Sequence, residues 1–264
     1  MTPRRPPRLL VTGSQGQLGR ALQALARTHG SADYQFASHA ELDVSRAGAI
    51  ERWLDAHPAD CLINAAAYTA VDRAASEPAA AMMANAQAPE VLARACVARS
   101  MRFFHVSTDY VFDGRMDRPY REDDATAPLN TYGRSKRAGE QAALAANPAA
   151  IIVRTSWLFS AWGTNFVGTM LRLGRRQATL RVVADQTGGP TWAGHLAAVL
   201  QALTQRPGRE TPGGIYHFSG RPWVSWQEFA QEIFVQAHAA RLMARIPTLL
   251  PIASTEWPTP EPRP

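Results

Sequence analysis

Tyr132 and Lys136 stand four residues apart in the string Tyr132-Gly133-Arg134-Ser135-Lys136. On a helix this spacing puts a phenol and an ammonium on one face, with Cβ atoms about 6 Å apart. A phenol titrates near 10 in water, and a cation alongside favours the phenolate, bringing the group toward neutral pH. The pair is a candidate proton relay, against the plainer reading of a solvated surface pair. Its lysine is the only one among 28 basic side chains; the rest are arginine. A drift to arginine spares a lysine where a planar guanidinium serves poorly.

Two further strings carry chemistry. Val106-Ser107-Thr108-Asp109-Tyr110 supplies hydroxyls after an apolar run, where a donor could polarise a substrate carbonyl; Ser107 reads equally as a backbone-bonded strand end. Thr12-Gly13-Ser14-Gln15-Gly16-Gln17-Leu18-Gly19 follows a short apolar run and opens a helical pattern. There Gly13 suits the tight turn, Gly16 the approach of a pyrophosphate, and Gly19 close helix packing.

The elements that must position these groups alternate. Strands are expected at 8–11, 34–37, 61–64, 102–107 and 151–155, and helices at 17–28, 85–99 and 131–146. A further helix runs to His57 with Ser45 as its cap. This is the rhythm of an α/β doubly wound parallel sheet, a Rossmann-like fold whose strand ends line a ligand crevice. Beyond Thr155 the rhythm loosens into helices 166–175, 193–204 and 225–238 and strands 180–184 and 215–218. From Pro251 the proline-rich tail should lack regular structure. The expected division is a flexible tail over 1–7, a dinucleotide-binding domain over 8–160, and a mixed region over 161–264 that completes the sheet and forms a small substrate lobe.

At the second strand's end, Ala37-Ser38-His39 offers no carboxylate until Glu41. The gap leaves room for a 2′-phosphate that His39 could meet, so NADPH is expected, with NADH as the alternative. Asp43-Val44 could contact the adenine or simply start a helix. The small residues of Asn64-Ala65-Ala66-Ala67-Tyr68-Thr69 would let the chain pass close to a cofactor or pack tightly.

Composition excludes several classes. With no GxxxxGK[ST] loop before Lys136, a P-loop NTPase is ruled out. The net charge of +6 comes from arginines in the tail (Arg4, Arg5, Arg8) and others scattered among acids, so no nucleic-acid stripe is expected. No run reaches the roughly 18 apolar residues of a membrane helix. The start lacks a signal peptide, and two cysteines make no disulfide framework, so a cytoplasmic protein is expected. The histidines show no metal-ligand spacing; His105 and His217 read as core or lining residues.

The Gly pattern, Tyr-x-x-x-Lys and the strand-end hydroxyl resemble the extended short-chain dehydrogenase/reductases. The strings at 64–78 (NAAAYTAVDRAASEP), 107–114 (STDYVFDG), 128–140 (PLNTYGRSKRAGE), 154–159 (RTSWLF) and 183–191 (VADQTGGPT) narrow this to the dTDP-4-dehydrorhamnose reductase family. The resemblance implies reduction of the 4-keto group of a nucleotide-linked sugar to give dTDP-L-rhamnose, for cell-surface polysaccharide. Tyr132 would be the proton donor, Lys136 would hold the nicotinamide ribose and lower the Tyr132 pKa, and Thr108 would tune the site. It also implies cofactor contacts from Gln15 to Leu18, at Asp43, Val44, and from Ala67 to Thr69. Substrate contacts would fall to Val71, Asp109, Tyr110, Trp157, Asp185, Gln186 and Thr191. The Mg²⁺ ligands of some members would fall on Ala21 and Gly194, which argues against a metal. The resemblance covers Leu9 to about Pro264, and family members usually continue beyond an Arg-Pro element such as Arg263-Pro264, so the C-terminus reads as shortened, and a monomer and a homodimer both remain open. The rivals are another nucleotide-sugar reductase or epimerase of this fold, and a non-catalytic NADP-binding subunit like that of methionine adenosyltransferase.

Overall fold

The computed structural model describes residues 5–28 and 32–264, without the side chains of Ala47 and Arg209. The first half contains β1 (Arg8–Thr12), α1 (Gln17–Thr28), β2 (Asp33–Ala37), α2 (Ala47–Ala56), β3 (Cys61–Asn64) and the short α3 (Val71–Ala74). Then come α4 (Pro78–Met82), α5 (Ala88–Ala98), β4 (Arg102–Thr108), α6 (Thr131–Ala146) and β5 (Ile151–Thr155). The second half adds β6 (Leu158–Phe159), α7 (Phe166–Gly174), β7 (Thr179–Val183), β8 (Thr187–Gly188) and β9 (Thr191–Trp192). It ends with α8 (Ala193–Gln205), β10 (Gly214–His217), β11 (Val224–Ser225), α9 (Trp226–Ala239) and β12 (Thr248–Ile252).

Among the described residues one six-stranded sheet, ordered β10-β5-β4-β3-β1-β2, forms the centre, and every pairing in it is parallel. β3 and β5 are buried at every residue, as strands covered on both faces must be. One face packs on α2, α5 and α6 through Leu62, Phe103 and Ile152; the other packs on α1 and α8 through Ile63, Phe104 and Val153. The strand order reverses between β1 and its neighbours β2 and β3, which opens a crevice at their carboxyl ends. A smaller core of Met170, Leu180, Ile233 and Phe234 holds α7, α9 and β7 together. No helix of the described residues is long and apolar enough to cross a membrane.

The expected elements β3, α6 and β5 coincide with those observed. Three expectations are corrected, and one falls partly outside the described residues. The helix placed at 85–99 starts at Pro78 and passes through a π-helical turn at Met83–Gln87, which swings Asn85 inward. Ser45 caps nothing: its Oγ donates to Asp43 Oδ1 at 2.6 Å, and α2 begins after Arg46 without a side-chain cap. The tail after Pro251 is not wholly irregular, because β12 runs to Ile252 beside β7 and a 3₁₀ turn follows at Ser254–Glu256. Proline lacks only its own N–H, and Pro251 still fits an edge strand. Finally, residues 1–4 of the expected flexible tail, Arg4 among them, lie outside the described residues. Residues 5–7 run along the sheet, where Arg5 pairs with Asp60 and the Pro7 carbonyl accepts from Asp33 N–H.

Candidate active site

The turn after β1 is shaped by close approach. Gly13 has φ +68°, and a Cβ there would stand 2.6 Å from Ala66 N on the chain leaving β3. A Cβ on Gly19 would collide with the Gly13 carbonyl. The turn therefore brings the start of α1 against the small residues Ala65 and Ala66, while Gln15 and Gly16 stay exposed. The first turn of a helix leaves N–H groups without intrahelical partners, so this exposed backbone can receive an anion. The Gln17 side chain is otherwise engaged, accepting from Ser160 Oγ and Asn165 Nδ2 at 3.0 Å each. Of the expected cofactor residues around the crevice, Gln17 therefore leaves only its backbone free, and the Leu18 side chain is core.

At the end of β2, Glu41 folds back, accepting from Ser38 N–H at 2.8 Å and Ser38 Oγ at 2.6 Å. These two bonds hold its carboxyl below the usual range. His39 is exposed, 4.0 Å from Asp43. Asp43 also accepts from Ser45 N–H and Oγ, in the turn before α2. Val44 is buried in the core.

Asn130 starts α6, its side chain accepting from Gly133 N–H at 2.7 Å. That cap sets the helix phase so that Tyr132, Ser135, Lys136 and Glu140 all face inward. Tyr132 meets Tyr110 edge-on, ring centroids 5.4 Å apart, and packs in a cluster with Tyr68, Val71, Ala74 and Ala81. Thr108, the last residue of β4, lies beside the Tyr132 hydroxyl and favours the phenolate. The Thr108 hydroxyl also donates to Asp109 Oδ1 at 3.1 Å. The structure thus brings together Thr108, Asp109, Tyr110, Tyr132, Lys136 and Val71.

The electrostatics differ from the expectation that Lys136 lowers Tyr132. Burial pushes the Tyr132 phenol up, Asp109 and Tyr110 add to this, and only Thr108 opposes it. The reason is where the ammonium points. Lys136 Nζ donates to the Val106 carbonyl at 2.7 Å and lies 3.3 Å from His105 Nε2, on the sheet side of its helix. Burial brings Lys136 down to about 8 despite Glu140. Burial also lifts Asp109 to about 6. A phenol that stays protonated is suited to giving a proton.

Ser107 is corrected too. β4 runs one residue further than expected, so Ser107 is an interior strand residue beside Arg154, and its buried Oγ has no partner. Sequence reasoning missed Asn85, whose side chain clasps the Tyr68 backbone. Oδ1 accepts from Tyr68 N–H at 2.8 Å and Nδ2 donates to the Tyr68 carbonyl at 2.9 Å. Nδ2 also reaches Ser135 Oγ at 3.0 Å, tying the Tyr68 segment to α6. Ala67 and Thr69 flank that segment, exposed. A buried polar residue in an alanine-rich helix was the available signal.

From Tyr110 a cleft of about 900 Å³ runs to the smaller core, lined by Gln186, Trp226, Trp257 and Arg263 among others. Trp157, at φ +47°, stacks on Trp226 at 3.4 Å between centroids, and a Cβ on Gly188 would strike its ring. Two expected substrate contacts are spent elsewhere. Asp185 accepts from Ser254 N–H and Oγ, both at 2.9 Å. Thr191 is fully buried, donating to the Gly189 carbonyl and accepting from Gly220 N–H. Among the described residues no three His, Cys, Asp or Glu side chains converge.

Comparison with known proteins places this geometry among relatives. The sequence model of the family described as the RmlD substrate binding domain matches residues 7–264. A dTDP-4-dehydrorhamnose reductase of Aggregatibacter actinomycetemcomitans is 42% identical over 259 residues, 97% of this chain and 88% of that one. A probable dTDP-4,6-dihydroxy-2-methyloxan-3-one 4-ketoreductase of Streptomyces antibioticus is 42% identical over 260 residues, 97% of this chain and 84% of that one. The solved dTDP-4-dehydrorhamnose reductase of Bacillus anthracis, in complex with NADP, superposes with a TM-score of 0.90 at 34% identity. That match covers 98% of this chain and 88% of the solved one.

Proposed function

The chain belongs to the RmlD substrate binding domain family, and from that premise we propose that it is an NADPH-dependent reductase of dTDP-4-dehydro-β-L-rhamnose, yielding dTDP-L-rhamnose. The observation that carries the reading is the joining of Thr108, Tyr132 and Lys136 beside a glycine turn that opens toward the same crevice. A catalytic set supports an enzyme over a binding subunit, which would need only the cofactor fold.

The residues present fit a dinucleotide. Gly13 and Gly19 clear the turn, Gly16 leaves the backbone of α1's first turn open to the pyrophosphate, and Ala67 to Thr69 border the far side. Glu41 is turned onto Ser38, so no carboxylate opposes a 2′-phosphate there, which favours NADPH over NADH. In this reading His39 meets that phosphate, and Asp43-Val44 border the adenine. When bound, the cofactor supplies the hydride that reaches C4 of the sugar.

As the carbonyl carbon gains that hydride, its oxygen gains a proton from the Tyr132 hydroxyl, so the ketone becomes a secondary alcohol. Tyr132 is protonated before the reaction because burial holds its phenol up. Thr108 stands beside the phenol and favours its ionised form, which eases the transfer. Lys136 lies one helical turn from Tyr132 and holds the nicotinamide ribose. Asp109, Tyr110 and Val71 shape the sugar's place, and the cleft past Trp157 and Gln186 takes the nucleotide. Residues 161–264 act as the substrate lobe. The reading carries a cytoplasmic enzyme, monomer or homodimer, with no metal, membrane or nucleic acid in its chemistry.

Following NADPH loss spectrophotometrically with the 4-keto sugar nucleotide tests the reading. Wild type is expected to consume NADPH stoichiometrically; an epimerase would show no net consumption. The keto sugar of the Streptomyces antibioticus relative is the rival substrate, and faster turnover of it would reassign specificity. Tyr132→Phe should lose about 100-fold or more in kcat while still binding NADPH. Retained turnover would remove Tyr132 as the donor.

A further inference from the structure

Thr12, Asn64 and His105 stand side by side in the central sheet. The register pairs Thr12 with Asn64 across β1 and β3, and Asn64 with His105 across β3 and β4. All three are almost fully buried. Hydrogen bonds run along the row. Thr12 Oγ1 donates to Asn64 Oδ1 at 2.7 Å, Asn64 Nδ2 meets His105 Nδ1 at 3.0 Å, and His105 Nε2 lies 3.3 Å from Lys136 Nζ.

One bond fixes the direction of the row. The Ala66 backbone N–H can only donate, and it points at Asn64 Oδ1, 3.2 Å away. The amide must therefore turn its NH₂ toward His105, so Nδ1 accepts. Burial and the Lys136 charge hold His105 well below its ordinary value, so the ring is neutral. A neutral imidazole that accepts at Nδ1 carries its proton on Nε2. An N–H, not a lone pair, then faces the lysine.

We propose that the Thr12–Asn64–His105 row fixes His105 as the Nε2–H tautomer, and that this N–H makes His105 a positioning residue that sets how readily Lys136 holds its proton. The tautomer stands independently of the proposed function; only its use in catalysis rests on that reading. The other groups acting on Lys136 pull differently. Glu140, one turn along α6, favours the ammonium, but it is itself paired with Arg154 of β5. Tyr132 lies one turn back, neutral. The π-helical turn that packs on α6 contributes the uncharged Asn85, and the sheet contributes the Val106 carbonyl.

The single lysine makes the test direct. Protein labelled with ¹³Cε-lysine shows one lysine resonance to titrate, and ¹⁵N-histidine reports the tautomer without any variant. The expected result is a pyridine-type Nδ1 and pyrrole-type Nε2 at His105, with the Lys136 midpoint near 8. His105→Phe keeps a ring beside Phe103 but removes the N–H, and should raise that midpoint by about 0.5 unit or more. His105→Gln can accept from Asn64 and still present N–H, and should leave it near the wild-type value. A protonated Nδ1 in the wild type would overturn the proposal, as would a midpoint that falls or stays put in His105→Phe. Should His105→Phe fail to fold, the wild-type tautomer and the Gln variant still decide. These readouts need neither substrate nor turnover, so their failure is distinct from failure of the reductase assay.

Discussion

A carboxyl buried beside a proton donor is under opposing demands, and Asp109 shows the balance. It receives the Thr108 hydroxyl bond, which favours its charge, yet desolvation is larger and lifts it to about 6. The folded value lies above the ordinary one, so the folded state prefers the neutral acid. Its contribution to stability is full below the unfolded pKa near 4 and is lost as the pH rises through 6. Asp109→Asn should therefore stabilise the fold by about 1–2 kcal/mol at pH 7.5 after allowance for partial exposure, with little gain below pH ~4. Thermal unfolding at both pH values checks this; an equal gain at both would place the effect in packing and not in ionisation. Asp109, Lys136 and Tyr132 were all legible as types in the sequence. Their shifts were not, because desolvation depends on neighbours that come from other elements.

At the scale of elements, the contact between α6 and the π-helical turn decides where the catalytic face sits. Gly139 lies one turn beyond Ser135, and a Cβ there would collide with the Asn85 carbonyl. That absence of a side chain lets Asn85 reach both the Tyr68 backbone and Ser135. Gly139→Ala must push the helices apart, costing about 1–3 kcal/mol in denaturant midpoint and lowering kcat more than KM, since Tyr132 rides on the displaced helix. Unchanged stability and kcat would show the interface to be soft. The strands and α6 were readable because apolar runs, Asn130 and the Asn147-Pro148 stop are local signals. The π-helical turn was not, because an extra residue in a helix leaves no mark on composition.

Across the whole molecule, Arg154 links the sheet to α6. Its guanidinium donates to both Glu140 oxygens, at 2.8 and 2.7 Å, with both side chains buried, and it lies 4.9 Å over the Phe112 ring. Removing one partner leaves an uncompensated buried charge. Arg154→Met should cost about 3–5 kcal/mol in urea unfolding, and the double variant with Glu140→Met should lose less than the single one. A smaller loss in the single variant would place the pair in contact with water. The second half of the chain joins this frame through β10 and through the Trp157–Trp226 stack, and the cleft opens from Tyr110 along the smaller core.

The sequence by itself determined the alternation of strands and helices as far as Thr155, the glycine turn after β1, and the placing of Tyr132 and Lys136 on one helix face. Each of these follows from periodicity or backbone freedom within a few residues. Tertiary structure alone decided what those groups meet. It turned Lys136 toward Val106 and His105, spent Asp185 and Thr191 on loop hydrogen bonds, folded Glu41 onto Ser38, and aligned Thr12, Asn64 and His105 in one row. Strand register sets that row, and register is a property of pairing between segments some forty to fifty residues apart, as the Asn64–His105 and Thr12–Asn64 separations of 41 and 52 show.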